Sequence, residues 1–375
     1  MDYHPWGRSL RRGPEGRTHS AATTCVRRGG CGIVFAREPH QPNATYVPVN
    51  AAPRRPRPTR FSRYAWGVLA WNVAVVLWGA LVRASGSGAG CGSHWPRCNG
   101  QVIPQSPTVH TLIEFTHRLM TGLDTFLVLG LLVAAFRFYP RGNPVRLGAV
   151  LSTFFLVTEA LVGAALVKFD LVADNRSTAR VWVMAVHLVN TFILLAVLTL
   201  TAWWAGGGAA IRLRERGRLA GVMLLAVFAT IAVGTTGAIT ALGDTLYPKQ
   251  AVGIREAAAA TFLERLRIVH PIVAVLTALY VVAAGALARR MRPNAATARL
   301  SRLLVALFAL QVAAGTINVA LLAPVWMQLV HLLLADAVWV ALICTTAAAL
   351  AVDDGVTVDP TPVRADRPAL SEAPA

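Results

Sequence analysis

"TVHTLIEFTHRLMTGLDTFLVLGLLVAAF", residues 108 to 136, is long and apolar enough to cross a membrane, yet it carries Glu114, His117 and Arg118 near its start. A charge deep in hydrocarbon costs about 2.5–3.5 kcal/mol on insertion scales, so such residues face a cavity, a cofactor or a partner. The stretch therefore reads as a membrane helix and as a candidate site.

The rest of the chain fits that reading. Of its 375 residues 55% are apolar and 14% charged, with positive mean hydropathy, which excludes an ordinary soluble domain. Crossing the hydrocarbon core takes about 20 helical residues. Runs of that kind lie near 65–84, 108–136, 147–168, 181–205, 218–241, 262–288, 299–321 and 325–351, so the predicted fold is an all-α integral membrane protein with eight transmembrane helices.

The net charge of +18 does not mark a nucleic-acid binder. Half of it precedes the first span, where residues 1–64 hold twelve Arg against Asp2, Glu15 and Glu38. The remainder follows topology: Arg137, Arg141 and Arg146 lie between spans 2 and 3, Arg212 to Arg218 between 4 and 5, and Arg289 to Arg302 between 6 and 7. The positive-inside rule puts these loops and both termini in the cytoplasm, in a multi-pass protein of the cell (plasma) membrane. Lys249, Arg255, Arg265 and Arg267 argue weakly the other way. Residues 1–63 and 352–375 lack apolar periodicity and read as disordered tails, the first basic and able to meet acidic lipid. Of five cysteines, Cys25 and Cys31 fall in the leader and Cys344 in span 8. Cys91 and Cys98 share the first external loop, where a lasting disulfide can form.

The chain repeats a four-span unit. "GALVRASGSG" from Gly79 is echoed by "GAITALGD" from Gly237, and "TEALVGA" around Glu159 by "LQVAAGT" around Gln311. His117 matches His270 and His187 matches His331. An even number of spans makes this a parallel repeat about an axis along the membrane normal. The architecture predicted is two pseudo-symmetric four-helix bundles, residues 64–206 and 207–351.

All four intramembrane histidines fall on even-numbered spans, about six to nine residues from the outer end, which is one layer roughly 10–13 Å deep. Histidines on facing helices are a common way to hold haem iron in a bundle. Two histidines leave a tetrahedral zinc site short of ligands, and a di-iron centre needs more carboxylates and a second Glu-x-x-His. Two haem sites are expected. They are not equivalent: Glu114 stands three residues before His117, on the same helix face, whereas Arg267 stands three before His270. Arg83, Arg118 and Arg267 are candidates for haem propionates, with interfacial snorkelling the alternative for the first two. Glu159 and Asp336 read as polar groups inside their bundles.

"GALVRASGSGAGCGSHWPRCNGQVIP" from Gly79, "EFTHRLMTG" from Glu114 and the histidines at 187, 270 and 331, with "HLLLAD" from His331, resemble the haem A synthase family over residues 65 to about 350. The resemblance implies a membrane oxidoreductase that oxidises the C8 methyl of haem o to a formyl group for cytochrome oxidase biogenesis. It implies substrate haem o between His117 and His187, a haem b cofactor between His270 and His331, and Glu114 as the catalytic carboxylate. It also implies a Cys91–Cys98 disulfide of redox or structural role. Haem o synthase and cytochrome oxidase assembly components are the partners it implies, beside the lipid membrane. The electron acceptor stays open, as does a homo-oligomer. The chain departs from the family in its long Arg-rich leader and in lacking the second cysteine pair, between spans 5 and 6, that many relatives carry. A di-haem b-type electron-transfer cytochrome and a haem carrier are the competing readings.

Overall fold

The computed structural model describes residues 23–26, 30–33, 59–214, 217–246 and 257–351. The rest of the leader, the segment with Lys249 and Arg255, and the C-terminal tail lie outside them. The chain divides into two units, Met1–Arg55 and Pro56–Ala375. In the first, β1 (Thr23–Val26) pairs antiparallel with β2 (Gly30–Ile33), Cys25 opposite Cys31, where the leader was expected to lack regular structure. The β-branched Thr23, Thr24, Val26 and Ile33 suit a pleated strand.

The second unit carries α1 (Arg60–Ala84), α2 (Val109–Phe138), α3 (Pro144–Lys168), α4 (Thr178–Ala205), α5 (Gly217–Leu246), α6 (Ala257–Met291), α7 (Ala295–Ala320) and α8 (Val325–Leu350). All eight are long and apolar enough to cross a membrane, and the protein is a multi-pass membrane protein. Most helices outrun the predicted spans, furthest at α5 and α6, because polar residues can extend a helix past its apolar window. Five begin on a side-chain cap: Thr59, Thr108, Asn143, Ser177 and Asn294 each accept a backbone N–H two or three residues on, meeting a donor with no partner inside the helix.

Within each half, consecutive helices pack and the fourth returns to the first, so α2 lies diagonal to α4 and α6 to α8. The halves meet through α1 and α4 against α5 and α8. Helix α8 is therefore the most enclosed, its residues from Ala341 to Leu350 all buried, while Phe126, Val133, Ile268 and Leu279 point outward as lipid-facing residues do. Lipid gives apolar faces little reason to leave it, so close backbone approach and polar links do the joining. Gly148 of α3 fits against Thr201 of α4 with no room for a Cβ. Asn72 Nδ2 donates to Asp124 Oδ1 at 2.8 Å, fastening α1 to α2. Between the halves, Trp339 Nε1 donates to the Phe192 carbonyl at 2.9 Å, with the two rings edge to face at 4.8 Å.

The repeat reaches individual bonds. Tyr64 in α1 donates its hydroxyl to the Leu127 carbonyl in α2 at 2.7 Å, and Tyr280 in α6 donates to the Val222 carbonyl in α5 at 3.0 Å. The offset of 158 residues that takes Gly79 to Gly237 takes Tyr64 to Val222, and the offset of 153 that takes His117 to His270 takes Leu127 to Tyr280. The same cross-link stands at the same level in both halves, with donor and acceptor helices exchanged.

Candidate functional site

Each intramembrane histidine rests against a glycine of the preceding helix. A Cβ on Gly79 would lie 3.1 Å from His117 Cε1, one on Gly237 2.8 Å from His270 Cε1, and one on Gly315 2.9 Å from His331 Cε1. Gly163 meets His187 more loosely, at 3.8 Å from Nε2. At the first three positions any side chain would press on an imidazole, so a bare backbone determines where the ring stands. His117 and His187 face each other diagonally across the first half, within reach of each other's charge, and His270 and His331 do so across the second.

The four imidazoles differ in their neighbours. Glu159 of α3 places Oε1 3.2 Å from His187 Nδ1. The same carboxylate accepts from Asn190 Nδ2 at 2.6 Å and from the Thr191 hydroxyl, both on α4. Gln311, at the repeat position of Glu159, sets Nε2 3.3 Å from His331 Nε2. Thr236 Oγ1 lies 3.1 Å from His270 Nδ1. His117 Nδ1, His187 Nδ1 and His331 Nδ1 are all buried without a hydrogen bond of good geometry, the Glu159 carboxylate standing beside the second at ion-pair distance.

One turn from this layer, at the end of the first half that carries the α1–α2 loop, Glu114 is 3% exposed. Its Oε1 accepts from Arg118 Nε at 3.2 Å and Nη2 at 2.5 Å, and its Oε2 from the Cys91 backbone N–H at 2.8 Å. Arg118 Nη1 turns to the loop between α1 and α2 and donates to the carbonyls of His94, at 2.5 Å, and Arg97, at 2.6 Å. Cys91 and Cys98 form a disulfide, and both are buried. The Asn99 N–H closes the loop on the Cys91 carbonyl at 2.9 Å, and the Thr111 hydroxyl, donating to the Gly90 carbonyl at 2.9 Å, ties the loop to α2. Gly90 lies so close to α2 that a Cβ there would be 2.5 Å from the His110 carbonyl oxygen.

The predicted residues thus fall into three groups. Glu114, His117, Arg118, Cys91 and Cys98 come together at the α1–α2 loop end of the first half, with His187 opposite. His270 and His331 form the second pair, and Arg267 beside it donates from Nε to Asp244 Oδ1 on α5 at 2.7 Å. Arg83 goes elsewhere: its Nη1 donates to the Ala241 carbonyl at 2.8 Å and Thr245 Oγ1 at 2.7 Å, and its Nη2 to Gln328 Oε1 at 2.9 Å, joining α1 to α5 and α8. All three arginines offered as propionate contacts have protein acceptors.

Sequence reasoning missed Asp124, buried in α2, and the contact between Glu159 and His187. It also missed the four glycines, although each stands in one of the repeated motifs. Asp336 is buried in α8 with its Oδ2 unpaired.

Among the described residues no three His, Cys, Asp or Glu side chains gather as a metal-ion site would require. What remains is two imidazole pairs in apolar cores, each ring flanked by bare helix backbone. That suits a planar macrocycle ligated on both faces.

A family model for cytochrome oxidase assembly proteins (COX15-CtaA) matches residues 62–343. Two strains of Thermus thermophilus have a relative 52% identical over 301 residues, which is 79% of this chain and 50% of the relative, named "Protoheme IX farnesyltransferase". Relatives named "Heme A synthase" include one from Bacillus mycoides, 43% identical over 95 residues, and one from Bacillus cereus, 44% identical over 93 residues. Each of those matches covers 25% of this chain and 30% of the relative. The chain thus spans about half the length of the Thermus relatives, and less of the Bacillus ones.

Proposed function

The chain belongs to the cytochrome oxidase assembly protein family, and we propose that it is a haem A synthase that oxidises the C8 methyl of haem o to a formyl group. The observation that carries the reading is Glu114, a buried carboxylate on the same helix face as His117, one turn closer to the outer surface, with no acidic counterpart in the second half.

In this reading His117 and His187 hold the substrate haem o by its iron, and the glycines behind them hold the rings in place. Each of two hydroxylations replaces a C–H bond of the methyl by C–OH, releasing two protons and two electrons when the oxygen comes from water. The resulting geminal diol loses water to leave the aldehyde. Glu114 takes up protons beside the methyl, and Arg118 with the Cys91 N–H keeps the carboxylate aimed while the loop shields it from bulk water. His270 and His331 would hold haem b, which when bound would supply one-electron chemistry. The electrons leave to a redox partner outside the chain.

The name of the Thermus relatives suggests a second reading, prenyl transfer to haem. A prenyl diphosphate is normally held through magnesium and carboxylates. Among the described residues the membrane acids are dispersed, and all but Asp336 are engaged: Glu114 with Arg118, Asp124 with Asn72, Glu159 with His187 and Asn190, Asp244 with Arg267. Those relatives are twice the matched length, so the activity in their name needs no counterpart in this chain. A farnesylated haem is the substrate proposed here, and a haem o synthase is the partner we infer to supply it. Arginines on the loops after α2, α4 and α6 support a plasma-membrane protein with those loops in the cytoplasm.

The test is Glu114→Gln in cells that also make haem o. Extracted pigment is expected to contain haem o and haem b but no haem a. Haem a at the parental level would refute the catalytic assignment, and haem b alone at both sites of the parent protein would favour the di-haem cytochrome.

A further inference from the structure

We propose that Glu159 is a positioning residue that gives His187 anionic character, so that the two haem sites are set to different potentials by a Glu159/Gln311 exchange between the repeats. The inference rests on the reading of the four histidines as haem ligands. It goes beyond that reading by assigning a task to a carboxylate outside the catalytic turn.

The geometry is specific to the first half. Oε1 of Glu159 lies 3.2 Å from His187 Nδ1, which leaves Nε2 for iron. A carboxylate on the far nitrogen of a ligating imidazole fixes its tautomer and raises its basicity. Glu159 is also the acceptor of a small network, taking donors from Asn190 and Thr191. Asn190 is locked in turn: its Nδ2 also reaches the Phe155 carbonyl at 2.9 Å, and its Oδ1 accepts from Thr158 at 2.7 Å.

The second half has lost the whole unit, not one member of it. The offset of 152 residues that takes Gly163 to Gly315 takes Glu159 to Gln311, and the offset of 144 that takes His187 to His331 takes Asn190 to Leu334 and Thr191 to Ala335. A neutral amide without its donors takes that sequence position, and it meets His331 at Nε2, 3.3 Å away, leaving no carboxylate at Nδ1. His270 likewise faces a neutral hydroxyl, that of Thr236. The first half therefore presents one ligand with a carboxylate behind it, and the second presents two with neutral groups. A more basic imidazole favours ferric over ferrous iron, so the substrate site should have the lower potential.

The experiment is a spectroelectrochemical titration of the purified holoprotein with both haems bound, comparing the parent with Glu159→Gln and Gln311→Glu. Glu159→Gln is expected to weaken the ferric preference of one haem at least tenfold, raising its midpoint by about 59 mV for a one-electron couple, and to leave the other unmoved. Gln311→Glu is expected to lower the midpoint of the other haem by a similar amount. If Glu159→Gln loses its haem, Glu159→Asp, which keeps the charge, is expected to restore binding. Midpoints unchanged in both glutamine and glutamate variants would overturn the proposal, as would failure of Glu159→Asp together with an unmoved Gln311→Glu. A parent protein without two low-spin, doubly histidine-ligated haems by electron paramagnetic resonance would instead overturn the ligand reading itself, and this inference with it.

Discussion

Gly237→Ala is a one-methyl test of the histidine layer. The new Cβ would stand 2.8 Å from His270 Cε1 and 3.3 Å from Nε2. An ordinary carbon–carbon contact is about 3.5 Å or more, so the ring edge must retreat by about 0.7 Å. Metal-ligand distances tolerate only about 0.2 Å, and a displacement of that size is expected to weaken haem binding at the second site by about 10–100-fold, the range for loss of an outer support. The fold should survive, because overpacking costs about 1–3 kcal/mol and Ala regains about 1 kcal/mol of helix propensity over Gly. The assay is haem-to-protein ratio by pyridine haemochrome, with thermal unfolding alongside. The four glycines form an internal series: Gly315→Ala, at 2.9 Å, should resemble Gly237→Ala, Gly79→Ala, at 3.1 Å, should be milder, and Gly163→Ala, at 3.8 Å, should retain full haem. Haem loss as severe in Gly163→Ala as in Gly237→Ala would refute the steric reasoning, and so would full haem in all four.

Arg83→Gln removes a cation with three acceptors on α5 and α8. It is expected to destabilise the protein by at least about 1.5 kcal/mol, the low end for a hydrogen bond to a charged group, at unchanged haem content; haem loss without a fall in unfolding temperature would return Arg83 to the propionates. Trp339→Phe should cost about 1 kcal/mol through the lost bond to the Phe192 carbonyl, and Trp339→Ala about 3–5 kcal/mol through the added cavity. Equal unfolding temperatures for the two variants would show that the ring packing between the halves contributes nothing.

The helices were legible because hydropathy over about 20 residues depends on the lipid and hardly on the rest of the fold. The histidine pairs were legible too, because an even number of spans returns the chain to the same side and depth. Contacts between helices were less so. Whether Glu159 faces His187 or the neighbouring bundle depends on the rotation of α3 against α4, which the Gly148–Thr201 contact settles and apolar periodicity does not. The acceptors of Arg83 were hidden for the same reason: they lie 158 or more residues away, across an interface with no sequence signature. Asp124 was hidden by its strongly apolar surroundings, although Asn72 one helix earlier offered a matching amide. The glycines were written in the repeated motifs, yet a glycine in a membrane helix has many uses, and only the ring against it identifies this one.

Glu114 has donors of two kinds, and their independence can be measured. Arg118 holds Oε1 and reaches across to the carbonyls of His94 and Arg97, while Oε2 takes the backbone N–H of Cys91, which the disulfide ties to Cys98. Both bracketed carbonyls lie inside the ring that this disulfide closes. Opening it by Cys98→Ser should destabilise the chain by roughly 2–3 kcal/mol on the loop-entropy scale. Arg118→Lys should also cost stability, since a single ammonium cannot serve a carboxylate and two carbonyls from one planar fork. If carboxylate, guanidinium and closed loop act as one unit, the second substitution removes contacts that the first has already loosened. The double variant should then fall short of the sum of the singles by about 0.5–3 kcal/mol, the range for groups in one network. Unfolding temperatures of the four proteins measure it, and strict additivity would mean that the loop and Arg118 hold Glu114 separately, so that opening the disulfide could not move the carboxylate through the guanidinium.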